Sequence, residues 1–304
     1  ANYAETGQPG FATVISANAY VHGVSLKGEV SARNMGDMET SKGTLKNTDI
    51  ENRSIAIGAA YSLEHFKFGA SFRSFNSDYG IPGGFIGGHP NGVDIELSKR
   101  DFTLQGLYIP AARPDTLNVI FRYNQYHHKE FETKKYVGAE FAVNQANLRI
   151  EKFIANSGPF FGIRLGTELD SRSVEMGGYV FTPPTNSYAA SLFSIASLNG
   201  WDGLEITLSA RLGGAFFRPR ESVVADKDAI EDRNFALWAF AAEFSQIVAP
   251  GKFLTLDVFR TTRAPTIEEL YNQGPHLAAY TYERGYHKLD AESGYGAELE
   301  FRDY

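Results

Sequence analysis

Cysteine is absent from the 304 residues, and methionine (3) and tryptophan (2) are scarce. The missing thiols exclude disulfide scaffolds, Cys-based zinc sites and thiol nucleophiles. Long apolar runs are missing too. The longest, FALWAFAAEF at 235–244, is far short of the roughly 20 residues a helix needs to cross a bilayer. The opening ANYAETGQPG has no basic stretch and no apolar core, so any export signal is expected to have been removed or to lie upstream. Positive charge is in deficit: the net charge is −7, which excludes general electrostatic binding to nucleic acid. No Gly-x-Ser-x-Gly or His-Glu-x-x-His occurs. Gly83, Gly84, Gly87 and Gly88 lack the Lys-Ser/Thr of a phosphate loop. The expectation is a protein that is not an enzyme, with no catalytic residues and no cofactor.

What the chain has is glycine (30), phenylalanine (23) and tyrosine (16), a mixture suited to strands and turns. Alternation is the dominant pattern. Ile206, Leu208, Ala210 and Leu212 oppose Glu205, Thr207, Ser209 and Arg211. Leu117, Val119, Phe121 and Tyr123 oppose Asn118, Arg122 and Asn124. Tyr295, Ala297, Leu299 and Phe301 oppose Glu298, Glu300 and Arg302. Period two predicts strands with one apolar and one polar face. They fall near 11–22, 23–35, 52–64, 65–76, 94–109, 116–130, 139–152, 159–171, 186–198, 203–217, 234–248, 252–262 and 291–304. Helical periodicity is confined to 266–271.

Short connections (22–23, 64–65, 110–115, 155–158, 199–203, 249–252) alternate strictly with long ones (36–51, 77–93, 131–138, 172–185, 218–233, 263–290). An up-and-down membrane barrel requires that alternation, whereas a Greek-key sandwich does not. The fold expected is all-β, a transmembrane antiparallel up-and-down barrel with a lipid bilayer on its apolar side. Trp238, Phe240 and Phe244 share a face with Ala236 and Ala242, and Trp201 sits in a short turn where an indole would anchor at the interface. An odd count of thirteen cannot close antiparallel, so either the count is off by one or the chain is part of a larger barrel.

The segment RTTRAPTIEELYNQGPHLAAYTYERGYHKLDAE, 260–292, resembles a stretch in TonB-dependent outer-membrane receptors. Arg263-Ala264-Pro265, Glu269-Leu270-Tyr271 and Gly274-Pro275-His276 match the family pattern, while the return His287-Lys288-Leu289-Asp290-Ala291-Glu292 lacks its prolines. A second stretch, Tyr79-Gly80-Ile81-Pro82-Gly83 followed by His89-Pro90-Asn91-Gly92-Val93-Asp94-Ile95, is similar to a loop and strand start in the zinc-uptake-like branch. The resemblance implies about 13 of 22 barrel strands across 1–304, with the plug absent and C-terminal strands missing. It implies active transport across the outer membrane of a Gram-negative bacterium, powered by a TonB-type complex acting on that plug. The extracellular ligand would be a metal ion, a metal chelate or a siderophore. A haem receptor of the same family, a barrel enzyme and a passive porin are the alternatives.

Imidazoles supply the candidate ligand chemistry. His127 and His128 lie at a strand end, and neighbouring strand residues point to opposite faces, so both cannot chelate one ion there. One of them could act with His89 or His276 from nearby loops; His127 and His276 are the pair proposed for a metal. His276, placed after the Arg-Ala-Pro, is also similar to the loop histidine of haem receptors. Exposed loop imidazoles are the plainer reading. Asp37, Glu39, Asp226, Asp228, Glu231 and Asp232 could gather cations or be solvated loop charge. Pro265 ends a strand, and Thr266 can cap a helical turn carrying Glu268 and Glu269 in its first turn.

Overall fold

The computed structural model describes residues 7–83, 92–111, 114–133, 136–178, 182–200, 202–220, 230–276 and 281–303. In chain order the elements begin with β1 (Gly10–Val21), β2 (Val24–Met35), β3 (Met38–Thr40), β4 (Gly43–Leu45), β5 (Ile50–Ser62) and β6 (Phe66–Ile81). Next come β7 (Val93–Tyr108), β8 (Thr116–Thr133), β9 (Tyr136–Ser157), β10 (Phe160–Gly178), β11 (Thr185–Asn199), β12 (Leu204–Pro219) and β13 (Arg233–Ala249). The chain finishes with β14 (Lys252–Arg263), α1 (Ile267–Tyr271), β15 (Gln273–His276), β16 (Thr281–Arg284) and β17 (Glu292–Asp303).

Thirteen strands form one antiparallel sheet in the order β1-β2-β5-β6-β7-β8-β9-β10-β11-β12-β13-β14-β17. They lie where the alternation places them. β1 and β17 are its edges and, being first and last of an odd series, run in the same direction. The hairpins β3–β4 and β15–β16 form separate two-stranded pairs within long connections. Short turns carry the conformations their residues permit. His22 and Gly23 both have positive φ (49° and 84°), the two-residue hairpin geometry whose twist matches the strands. Pro250-Gly251, with φ 75° at the glycine, supplies the fixed and the left-handed positions of a tight turn.

Register shows why the sequence alternates. Ala19, Leu26, Ala59, Ala70, Leu104, Phe121, Leu148, Leu169, Ala190, Gly214 and Ala236 pair in turn from β1 to β13, a rung without a polar side chain. One residue along, the opposite face carries Asn18, Lys27, Gly58, Ser71, Thr103, Arg122, Asn147 and Asp170. Leu192 and Leu299, on the apolar face, are each 68% exposed. A water-soluble sheet would cover such a face; a barrel in lipid turns it outward. Averaging the two faces gives the mild mean hydropathy of −0.27. No helix among the described residues is long and apolar enough to cross a membrane. Trp238, Phe240 and Phe244 do lie on the outward face, with the Trp238 and Phe240 rings 5.5 Å apart. Trp201 lies outside the described residues.

The strands differ from expectation at their long-connection ends. β8 continues to Thr133, β9 is 22 residues long, and β10 runs to Gly178. Much of 131–138 and 172–185, expected as loop, is therefore paired strand. The reason is physical: beyond the lipid both faces are wet. Lys129, Glu130 and Glu132 occupy both faces and hide the alternation while backbone pairing persists.

Candidate functional site

The polar face lines the lumen, and on β9, β10 and β12 its charges pair with one another at mid-height. Arg149 lies 2.7 Å from Glu151, and Arg164 lies 3.4 Å from the same carboxylate. Glu168 accepts from Arg211 at 3.0 Å and from Asn147 at 3.1 Å, with Arg149 at 4.0 Å. Arg149 also stacks over Phe193 at 4.5 Å, which fixes the plane of its fork. Towards the short-turn end the pattern changes. Glu243, Asp257 and Glu298 face one another on β13, β14 and β17. No cation pairs with them among the described residues.

The lumenal wall at the other end is covered from within. Pro265 ends β14 because it cannot donate to the ladder. Thr266 then caps α1: its hydroxyl accepts from the Glu269 amide at 3.2 Å, and the Glu269 carboxylate accepts from the Thr266 amide at 2.7 Å. Arg263 holds the same carboxylate through two bonds, 2.9 and 3.1 Å, and reaches Glu292 at 2.5 Å. Arg263 hydrogen bonding, followed by that of the Thr266 amide, lowers the Glu269 carboxyl from its usual pKa. Ile267, Leu270 and Tyr271 are each 1% exposed. They pack on Val174, Ala215, Phe217 and Phe235, with Ala264 and Ala291 alongside. Those strand residues share the lumenal face, so α1 folds inward. Tyr271 donates to the Glu231 carbonyl at 2.9 Å, and burial raises its phenol pKa. Asn272 bonds Thr182 and Glu283. Gly285 passes so close that a Cβ there would meet the Tyr271 amide nitrogen at 2.6 Å. Gly274 is buried beside this turn, and Pro275 follows it in β15, its side chain outside the described residues.

The candidate histidines separate. Tyr126, His128 and Glu130 occupy alternate positions of β8 and face the lumen with Arg122. His128 Nδ1 is 2.8 Å from the Tyr126 hydroxyl, and its Nε2 is 3.4 Å from Glu130. The ring meets Phe141 edge-on at 5.5 Å. Its Nε2 is buried without a hydrogen bond. His127 faces outward, its Nε2 2.5 Å from Glu140, a carboxylate that Lys129 approaches at 3.8 Å. The His276 backbone belongs to β15, but its side chain, like the whole of His89, lies outside the described residues. No group of three or more His, Cys, Asp or Glu that could hold a metal ion occurs among the described residues.

The acidic loop residues have structural partners. Asp37 accepts from the Thr48 amide at 3.0 Å, the main cause of its lowered pKa, and Lys46 lies at 3.6 Å. Glu39 binds Thr44 at 2.9 Å. Asp232 pairs with Arg218 at 3.2 Å, and Glu231 lies 3.8 Å from His287. Asp226 and Asp228 fall outside the described residues, as do Gly84, Gly87 and Gly88. Sequence reasoning missed the lumenal apolar patch under α1. Its trace is a local loss of alternation: Phe216-Phe217 and Phe235-Ala236-Leu237 are apolar on both faces.

No protein-family model matches the chain. No curated protein matches it either. Solved structures do. The copper transporter OprC superposes with a TM-score of 0.78 at 12% identity, over 98% of this chain and 50% of that one. The siderophore receptor PirA from Pseudomonas aeruginosa gives 0.72 at 12% identity, over 99% and 50%. The FrpB iron transporter from Neisseria meningitidis gives 0.74 at 7% identity, over 97% and 50%. The chain thus spans about half the length of the solved structures it matches. Its thirteen-stranded sheet has the fold of the β-barrel of TonB-dependent outer-membrane receptors.

Proposed function

We propose that residues 1–304 form part of the barrel of a TonB-dependent active-transport receptor in the outer membrane of a Gram-negative bacterium. The receptor captures a scarce metal ion, metal chelate or siderophore at the long-connection end and passes it inward to the periplasm. A plug outside this chain links the barrel to the energy-transducing complex. The protein is a transporter and not an enzyme. One observation carries the reading: a two-faced antiparallel sheet that superposes, over nearly its whole length, on half of proteins described as copper, iron and siderophore transporters or receptors. Tyr126, His128 and Glu130 set phenol, imidazole and carboxylate groups side by side on the lumenal wall, the imidazole held at Nδ1 by the Tyr126 hydroxyl.

Deletion of the gene should slow growth under metal limitation, and uptake of labelled iron or copper complexes should stop when the proton gradient is collapsed. The full-length protein should fractionate with the outer membrane. Uptake indifferent to an uncoupler, together with steady open-channel conductance in planar bilayers, would replace the receptor with a passive porin.

A further inference from the structure

We propose that the outward groove across β11 to β17 seats an acyl chain of a bilayer lipid while Arg260 binds that lipid's phosphate. This rests on the reading that the apolar face meets a bilayer. Arg260 is a guanidinium on that face, paired across the sheet with Phe240 and Tyr295. Its Cζ lies 3.8 Å from the Trp238 ring centroid and 4.9 Å from that of Tyr295. Two rings from the flanking strands therefore lie against the guanidinium and its N–H donors as cation–π partners. None of those donors finds an acceptor among the described residues, and Nε is fully buried without a partner.

The height of Arg260 is marked by its neighbours. Two residues towards the long connections, Thr262 and Ser293 pair on the same face. In the other direction Val258 and Ala297 pair, then Leu256 and Leu299. Arg260 stands where outward residues of β14 and β17 change from polar to apolar, with a tryptophan and a tyrosine at the level of lipid headgroups. Below it opens a groove of about 900 Å³. Its lining alternates Ala196, Ala242 and Ala297 with Leu208 and Val258 along one outward rung, next to the rung that carries Arg260. A cation beside an apolar trough, on the surface that contacts lipid, matches a phosphate joined to a hydrocarbon chain.

The test uses the intact protein and native mass spectrometry, with dioleoyl phosphatidylglycerol as probe and dioleoylglycerol as its phosphate-free counterpart. The wild type should retain phosphatidylglycerol selectively. Arg260→Gln should weaken retention about tenfold or more, the loss expected for a charge-assisted contact. Ala242→Leu fills the groove with a residue lipid tolerates and should weaken retention while leaving Arg260 in place. Wild-type retention by Arg260→Gln, or equal retention of dioleoylglycerol, would overturn the lipid site. Insertion into vesicles is read separately by protease protection. A wild-type protein that fails to insert overturns the membrane reading itself; one that inserts but shows no Arg260 effect overturns only this site.

Discussion

Arg263 and Glu269 grip each other through two hydrogen bonds, 2.9 and 3.1 Å long, across the turn that carries the chain from β14 into the lumen. The same carboxylate closes the capping box of α1, so one side chain both anchors the strand end and starts the helix.

That dual role gives a pH dependence with a definite sign. The folded Glu269 carboxyl titrates below its usual 4.5. A depressed carboxyl contributes stability that is fully present above the unfolded value and is lost as pH falls through the folded one. Limited proteolysis should therefore leave 264–291 intact from neutral pH to about 5, with nicking rising only below the usual carboxylate range. Glu269→Ala should be nicked already at neutral pH, at a cost of about 1 kcal/mol for the lost cap.

Packing of α1 on the lumenal wall predicts a larger effect. Leu270→Ala empties a site that is 1% exposed. It should destabilise the connection by about 2–5 kcal/mol. Tyr271→Phe keeps the ring but loses the 2.9 Å bond to the Glu231 carbonyl. About 1 kcal/mol should go with it. Amide exchange of the α1 segment distinguishes the two.

Consecutive residues Ala70 and Ser71 test the assignment of faces. Ala70 belongs to the apolar rung and Ser71 to the lumenal one. Ala70→Arg should cost about 2–4 kcal/mol if its place is near the bilayer midplane. Ser71→Arg should stay within about 0.5 kcal/mol, as surface changes do. Denaturant titration in lipid vesicles measures both, and equal costs would refute the orientation.

For ligand capture the two adjacent histidines should behave differently. His128→Ala removes a lumenal imidazole and should weaken binding of a transported metal complex about tenfold. His127→Ala acts on the outer face, against Glu140, and should leave affinity unchanged. Binding isotherms on the purified protein decide the matter; a stronger effect from His127 would move the site.

Much of this molecule could be read from its letters because period two is local. Leu208 and Leu212 announce one face and Ser209 and Arg211 the other, without reference to any partner strand. The opposition of His127 and His128 follows from the same rule. The small helix was legible through Thr266 and Glu269, which complete its cap within four residues. What it covers was not, because Ile267 and Leu270 are buried by Val174, Phe217 and Phe235, distant in sequence. Whether the connection folds in or stands out depends on that patch. The extension of β8 and β9 was hidden for another reason: where both faces meet water, polarity stops reporting direction.

The lumenal wall also has consequences for ions. At mid-height, Arg164, Glu151, Arg149, Glu168 and Arg211 alternate in sign within contact distance, three cations against two carboxylates, so most of their field cancels and a single positive charge is left over. That part of the wall presents paired hydrogen-bonding groups with a small positive excess. At the short-turn end, Glu243, Asp257 and Glu298 form a rung of one sign, and that potential does not cancel. This wall of the sheet is therefore electrically graded: slightly positive at mid-height and acidic at its short-turn end.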